Sequence, residues 1–135
     1  MSISLRAYAP ADRTYVLSTW ARSACSGSRL NISRWMDRHA DTMRELEAAL
    51  HVKAIVAVDA ATLREGEPTI VGWVAFSGKS FVHYVYVRQL YRRQGIAKAM
   101  LQASEVDLSR EIGHTFDGPS LRWLKARLKL RKIKA

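Results

Sequence analysis

Val85-Tyr86-Val87-Arg88-Gln89-Leu90-Tyr91-Arg92-Arg93-Gln94-Gly95-Ile96-Ala97 decides how this chain is read. A strand-like apolar alternation stops at Val87, a short basic segment follows, and beyond Gly95 the apolar residues Ile96, Met100 and Leu101 recur at helical spacing. A strand that passes through a short loop into a helix aims the free N–H groups of the helix's first turn, and the positive end of its dipole, at one spot. Such a spot suits a pyrophosphate. Gly95 permits close backbone approach there, and Arg92 or Arg93 can add charge-assisted hydrogen bonds.

Upstream of this segment lie three β-rich runs, AIVAVD (54–59), TIVGWVAFSG (69–78) and SFVHYVYVR (80–88), in the order of a meander. Residues 60–68, with Arg64-Glu65-Gly66-Glu67, read as a solvated hairpin loop. Further back, Trp35, Met36, His39, Met43, Leu46 and Leu50 predict one amphipathic helix from Ile32 to Leu50. A helix opening at Ala11-Asp12-Arg13 puts Val16, Leu17, Trp20, Ala21 and Ala24 on one face and ends at Ser26-Gly27-Ser28. Ile3, Leu5 and Ala7 alternate as a short strand before Pro10. Downstream, the helix begun at Gly95 is expected to reach Ser109, followed by a short His114-Thr115-Phe116 segment and a helical stretch from Leu121 to Leu130.

A length of 135 residues, 48% hydrophobic, allows one domain with a real core and excludes a disordered chain. The longest apolar run, Ile70 to Phe76, is seven residues, far below the ~20 that span a bilayer. The N-terminus lacks the basic-then-apolar pattern of a secretory signal, so a cytoplasmic protein without membrane contact is expected. The single cysteine, Cys25, excludes a disulfide scaffold, and neither His39 nor His51 has metal-ligand spacing. No metal is expected.

The net charge of +10 is unevenly placed. Residues 122–135 hold seven Lys or Arg and no acid, and residues 68–104 hold five more, again with no acid. Both segments suit anionic partners. In the basic tail, Leu121, Leu124 and Leu128 form an apolar stripe among the cations, and RNA or DNA contact is one expectation for it.

Val85-Tyr86-Val87, the Arg92-Arg93-Gln94-Gly95-Ile96-Ala97 loop five residues on, and the helix after it resemble the signature of the GNAT superfamily of acyl-CoA-dependent N-acyltransferases. The upstream order of strand, two helices and three-stranded meander is similar too, so the resemblance covers about residues 2–128. In length, and in VLSTWARS and HYVYV, the chain also resembles short acetyltransferase-like proteins of bacteriophages and prophages. The resemblance implies one α/β domain over residues 1–135, with a mixed, mostly antiparallel sheet flanked by helices. It would be truncated at the C-terminus, so that the usual sixth and seventh strands are missing.

The resemblance further implies acetyl-CoA as co-substrate. The backbone of Val85-Tyr86-Val87 would pair with the pantetheine arm as an added strand, chiefly through Val85 and Val87. The N–H groups of Gln94, Gly95, Ile96, Ala97 and Lys98 would hold the pyrophosphate, with Arg92 and Arg93 beside them. Amine acetylation needs a base, and His83 sits four residues before Val87, where strand alternation would turn it to the same face as Val85 and Val87. Some arylalkylamine acetyltransferases in the family carry a catalytic histidine at this spacing. The alternative is a histidine that packs or binds a backbone carbonyl.

The tyrosine many relatives place in the last helix as general acid is absent between Ser120 and Leu130. Tyr84, Tyr86, His114 and Ser120 are substitutes, with Tyr84 expected to act beside His83 in catalysis; water is another source of the proton. The expected activity is acetyl transfer to a primary amine, on a small molecule or a protein, by direct transfer in a ternary complex. Two rival readings follow: a non-catalytic module of this fold gripping a host protein or nucleic acid, and an acetyltransferase acting on an RNA-bound amine. A homodimer or a macromolecular substrate would complete the acceptor pocket.

Overall fold

The structure is a computed structural model that describes residues 2–26, 29–114 and 130–132. Four strands, β1 (Ile3–Ala7), β2 (Ala54–Arg64), β3 (Glu67–Ser77) and β4 (Phe81–Val87), lie side by side as antiparallel neighbours. Two short strands, β5 (Ile112–His114) and β6 (Leu130–Lys132), continue the sheet beyond β4 in parallel pairing. Helices α1 (Arg13–Ala24), α2 (Ile32–Arg38) and α3 (Ala40–Val52) precede β2, and α4 (Ile96–Ala103) follows β4.

The β2–β3 hairpin turns on two residues, Glu65 at φ 52° and Gly66 at φ 81°. A two-residue turn with both φ values positive matches the strand twist, so the ladder runs to Arg64↔Glu67. Residues 60–64 and 67–68 are therefore strand, where a longer solvated loop was expected.

The sheet buries both faces. Toward α4, Val74, Phe76, Val82, Val85 and Val87 pack with Ile96, Met100 and Leu101. Toward α1, α2 and α3, Val56, Trp73, Ala75 and Tyr84 pack with Val16, Trp20, Trp35 and Leu46. Trp20 meets Trp35 edge-on at 5.0 Å, and the Trp73 indole N–H donates to Thr19 Oγ1 at 2.9 Å, so the buried rings are both packed and satisfied. Truncating Trp20 or Trp73 to Ala would cost about 3–5 kcal/mol.

Three expected boundaries shift. The helix expected from Ile32 to Leu50 is two helices broken at His39 (φ −111°, ψ 27°), whose ring lies 4.5 Å from that of Trp35. Neither Pro nor Gly marks this break, so periodicity runs through it. Helix α4 stops at Ala103 because the Ser104 hydroxyl donates to the Leu101 carbonyl (2.6 Å) and accepts from the Val106 N–H (3.2 Å), competing with the next helical turn. Val106 then enters the core on the α4 face. Finally, Leu130 lies in a strand where helix was expected, and β6 is a sixth strand where none was expected. The rest of the expected C-terminal helix, residues 121–129, lies outside the described residues.

Candidate active site

Strand β5 pairs with β4 only at Phe81 and Val82. Among the described residues, the β5-side edge of β4 from His83 to Val87 thus has no strand partner. Which groups face that edge follows from the other side: the Arg88 N–H donates to the Val71 carbonyl at 2.8 Å, so Arg88 turns its backbone to β3. Backbone direction alternates along an antiparallel ladder, so Tyr86 also faces β3 while Val87 and Val85 present N–H and C=O to the open edge. The Val87 carbonyl already accepts a hydrogen bond from Arg92 Nε at 2.8 Å. Tyr86 turns its ring toward α1, stacked 6.3 Å from Trp73 and edge-on to Tyr15 at 6.5 Å. Desolvation, with Tyr86 beside it, pushes the Tyr15 hydroxyl up to about 12.

The open edge leads at its Val87 end to a basic loop. After a short 3-10 turn at Gln89–Tyr91, Arg93 takes φ 63° and Gly95 φ 81°, two left-handed residues with Gln94 between them. Alternation into left-handed backbone turns successive N–H groups inward as an anion-binding concavity. Gly95 is the N-cap of α4, and its carbonyl accepts the first intrahelical bond, from the Ala99 N–H at 2.9 Å. The N–H groups of Ile96, Ala97 and Lys98 precede that bond and have no acceptor within the helix. A left-handed arginine stores strain of order 1 kcal/mol, which fits a loop shaped for a ligand. Arg92 is half-buried by its bond to Val87, whereas Arg93, Gln94, Gly95 and Lys98 are exposed.

His83 is about 13 Å of strand from Val87, four residues at ~3.3 Å each. The register shifts between Ala75 and Phe76, pairing them with Tyr84 and Val82 and leaving His83 as an extra residue. This bulge corrects the simple alternation. Val82 joins Val85 and Val87 on the α4 face, while His83 lines a cleft against α3 with Glu45, Ala48 and Val52. His83 Nε2 lies 2.7 Å from Ser77 Oγ, and the ring meets Phe81 edge-on at 4.8 Å. Burial holds the His83 imidazole below its ordinary value of 6.5, with the Glu45 charge partly opposing. The ring is therefore neutral at pH 7, the form that accepts a proton.

Tyr84, expected beside His83 in catalysis, is buried at 0% exposure, with its hydroxyl 2.5 Å from Ser23 Oγ and its ring against Trp73. It faces the helical core. His114 is also buried, on β5, and Ser120 lies outside the described residues. Trp20, Trp35, Met36 and Met43 belong to the core on the helical side, as their spacing suggested. Cys25 is a half-buried thiol.

Sequence reasoning passed over Ser77, Glu45, Tyr91 and Asp59. Ser77 could have been found from the hairpin, since it opposes Phe81 across the turn. The others carry no local signal: Tyr91 reaches Asp59, 32 residues away, and Glu45 sits on the exposed side of α3. Among the described residues no group of three metal-ligating side chains occurs, and no helix is long and apolar enough to cross a membrane.

The sequence profile described as "Acetyltransferase (GNAT) family" matches residues 17–116. None of the curated proteins is similar enough in sequence to count as a relative. Among solved structures, the chain is similar to an acetyl transferase from Pyrococcus furiosus (TM-score 0.64, 15% identity, 99% of this chain and 97% of that one). It is also similar to the GNAT family N-acetyltransferase YhbS of Escherichia coli in complex with CoA (TM-score 0.51, 22% identity), covering 76% of this chain and 54% of that one. A third is the PaiA N-acetyltransferase of Thermoplasma acidophilum in complex with coenzyme A (TM-score 0.50, 16% identity, 76% and 69% covered). These likenesses carry the fold, and the profile spans the strand, loop and helix around Gly95. A β4 edge that is open among the described residues, ending in a left-handed loop at a helix N-terminus, is thus explained by descent: the chain belongs to the GNAT acetyltransferase family.

Proposed function

We propose that this protein transfers the acetyl group of acetyl-CoA to a primary amine, directly and within a ternary complex, with His83 receiving the amine proton. One observation carries the reading. The open edge of β4 runs from the anion-binding loop at Gly95 to His83, so a ligand anchored by its phosphates at one end reaches the imidazole at the other. Solved relatives of this fold, YhbS and PaiA, hold CoA.

The residues present fit that co-substrate. The N–H groups from Gln94 to Lys98 suit the pyrophosphate, and the outward N–H and C=O groups of Val85 and the Val87 N–H suit a peptide-like arm laid down as an extra strand. Arg93 and Lys98, both exposed at the loop, add positive charge. Arg92, tied to the Val87 carbonyl, holds the loop against the strand end. When bound, acetyl-CoA supplies a thioester carbonyl.

The amine nitrogen attacks that carbonyl carbon, the C–N bond forms, and the C–S bond breaks with the electron pair leaving on sulfur. The proton lost by nitrogen goes to His83 Nε2, directly or through the Ser77 hydroxyl that shares a hydrogen bond with it. The departing thiolate takes its proton from water, since Tyr84 is committed to Ser23.

Calorimetry with CoA and thiol release from acetyl-CoA test the reading. Wild-type protein should bind CoA and Gly95→Glu should not, because the new carboxylate would occupy and repel the phosphate position. Unchanged CoA affinity in Gly95→Glu would overturn it.

A further inference from the structure

We propose that four arginines at the end of α1 and along α2, Arg22, Arg29, Arg34 and Arg38, form a docking surface for the phosphodiester backbone of a nucleic acid. The inference is independent of the acetyl-transfer reading, because α1 and α2 cover the face of the sheet opposite to α4 and its loop.

Residues 1–52 contain seven arginines and no lysine, and the seven fall into two groups. Arg6, Arg13 and Arg44 form ion pairs with Asp12, Glu47 and Asp41. The other four follow one another between positions 22 and 38; all are exposed, and none forms an ion pair among the described residues. Asp37 is the one acid in that stretch.

The fold gathers these four cations. Cys25 Sγ lies 4.0 Å from the Leu30 carbonyl oxygen, so the chain after α1 turns back and brings Arg29 beside the helix end that carries Arg22. Leu30 in turn lines an open hollow of about 400 Å³ with Arg34, Asp37 and Arg38.

Electrostatics within α2 works against the helix. The Asn31 side-chain oxygen accepts from the Arg34 N–H at 2.9 Å and caps α2, so Arg34 stands in the first turn, where the helix dipole disfavours a cation. Arg34 and Arg38 are one turn apart, a like-charge pair. No acid occupies the first turn to offset either effect. Phosphates laid over α2 would offset both.

Residue type and surroundings select nucleic acid over an acidic protein. Each guanidinium is a planar fork that binds a phosphate through two hydrogen bonds. A protein interface is centred on apolar side chains, whereas here Trp35 is buried, Leu30 and Met36 are half-buried, and Ile32 is 38% exposed. A phosphate backbone needs no apolar centre, and contact through phosphates is indifferent to base sequence.

The test is fluorescence anisotropy of the full chain with a short labelled RNA hairpin and a short labelled DNA duplex over a salt series. Four phosphate contacts predict that DNA affinity falls by about 100-fold between ~50 and ~200 mM salt. Arg22→Gln, Arg29→Gln, Arg34→Gln and Arg38→Gln together should flatten the log-log slope by about three to four. The same four positions changed to Lys should keep most of it, since the charge remains. The Gln variant should bind CoA as wild type does and melt no lower, because a repulsion has been removed. Four results would overturn the surface: no binding by wild-type protein at ~50 mM salt, a slope unchanged by the Gln substitutions, displacement of the nucleic acid by CoA, or loss confined to a variant with Lys129, Arg131, Lys132 and Lys134 changed to Ser. Polyglutamate bound as tightly as RNA would assign the surface to an acidic protein instead and overturn the nucleic acid as its partner.

Discussion

The Tyr91 hydroxyl donates a hydrogen bond of 2.9 Å to Asp59 Oδ2, tying the 3-10 turn that leads into the left-handed loop before α4 to strand β2. Asp59 is itself held by the backbone N–H groups of Ser2 and Ala61, both at 3.0 Å. These hydrogen bonds, the one from Ser2 foremost, keep its carboxyl below the usual carboxylate range. Because Asp59 is anchored from two sides, Tyr91 fixes the turn to the rigid part of the sheet. Tyr91→Phe keeps the ring and removes only the tether, so CoA affinity should fall by about fivefold while the protein stays folded. Calorimetry against wild-type protein checks this; equal affinities would make the tether irrelevant to the loop.

At Arg93 the backbone, φ 63°, and the side chain can be separated. Arg93→Gly relieves left-handed strain of about 1 kcal/mol but adds freedom to the unfolded chain, so stability should stay near wild type. Arg93→Val puts a β-branched residue into the same conformation and should lose about 1 kcal/mol or more. Both remove the same cation, so both should weaken CoA binding, which thermal melts and calorimetry would resolve separately.

Gly72 is required by space. A Cβ there would stand 2.7 Å from the Tyr86 carbonyl oxygen and 3.3 Å from Met100 Cε. The first contact is with backbone, which cannot swing aside, so Gly72→Ala must push β3 from β4 and cost about 1–3 kcal/mol. Denaturant titration should show the loss, and CoA affinity should drop with it because the open edge of β4 moves. Gly95→Ala is the contrast: a Cβ there meets nothing within 4 Å, and only its φ of 81° opposes it.

Histidine protonation sets the acid limb. Burial lowers the pKa of both His83 and His39 in the folded state below the ordinary 6.5. The unfolded chain then binds protons first as pH falls, so their contribution is complete above pH 6.5 and declines below it, levelling off under the folded values. For His83 the partners facing the ring are Ser77 on β3, Glu45 on α3 and Phe81 on β4. His83→Gln should flatten part of the stability loss between pH 6.5 and 5. His83→Ala should lower turnover by ~100-fold with CoA affinity near normal. A variant with wild-type rate and pH profile would make His83 structural.

The amino-acid sequence by itself determined the parts of this protein that rest on neighbours in the chain. The passage from Val87 through Arg92 and Gly95 into α4 was legible because strand period, loop glycine and helix period are all local, and the same holds for the meander and for the two apolar faces carrying Val85 and Trp73. Tertiary structure decided the rest. The face taken by His83 depends on an extra residue opposite Ala75 and Phe76, which inverts the side-chain alternation and leaves no mark in a hydrophobic pattern of period two. The meeting of Tyr91 with Asp59, and of Glu45 with His83 across one cleft, depends on how strands and helices stack, since polar partners far apart in sequence are chosen by the folded geometry. Leu130 to Lys132 join the sheet for the same reason: pairing with β5 satisfies backbone groups in a way that helical spacing of leucines cannot reveal.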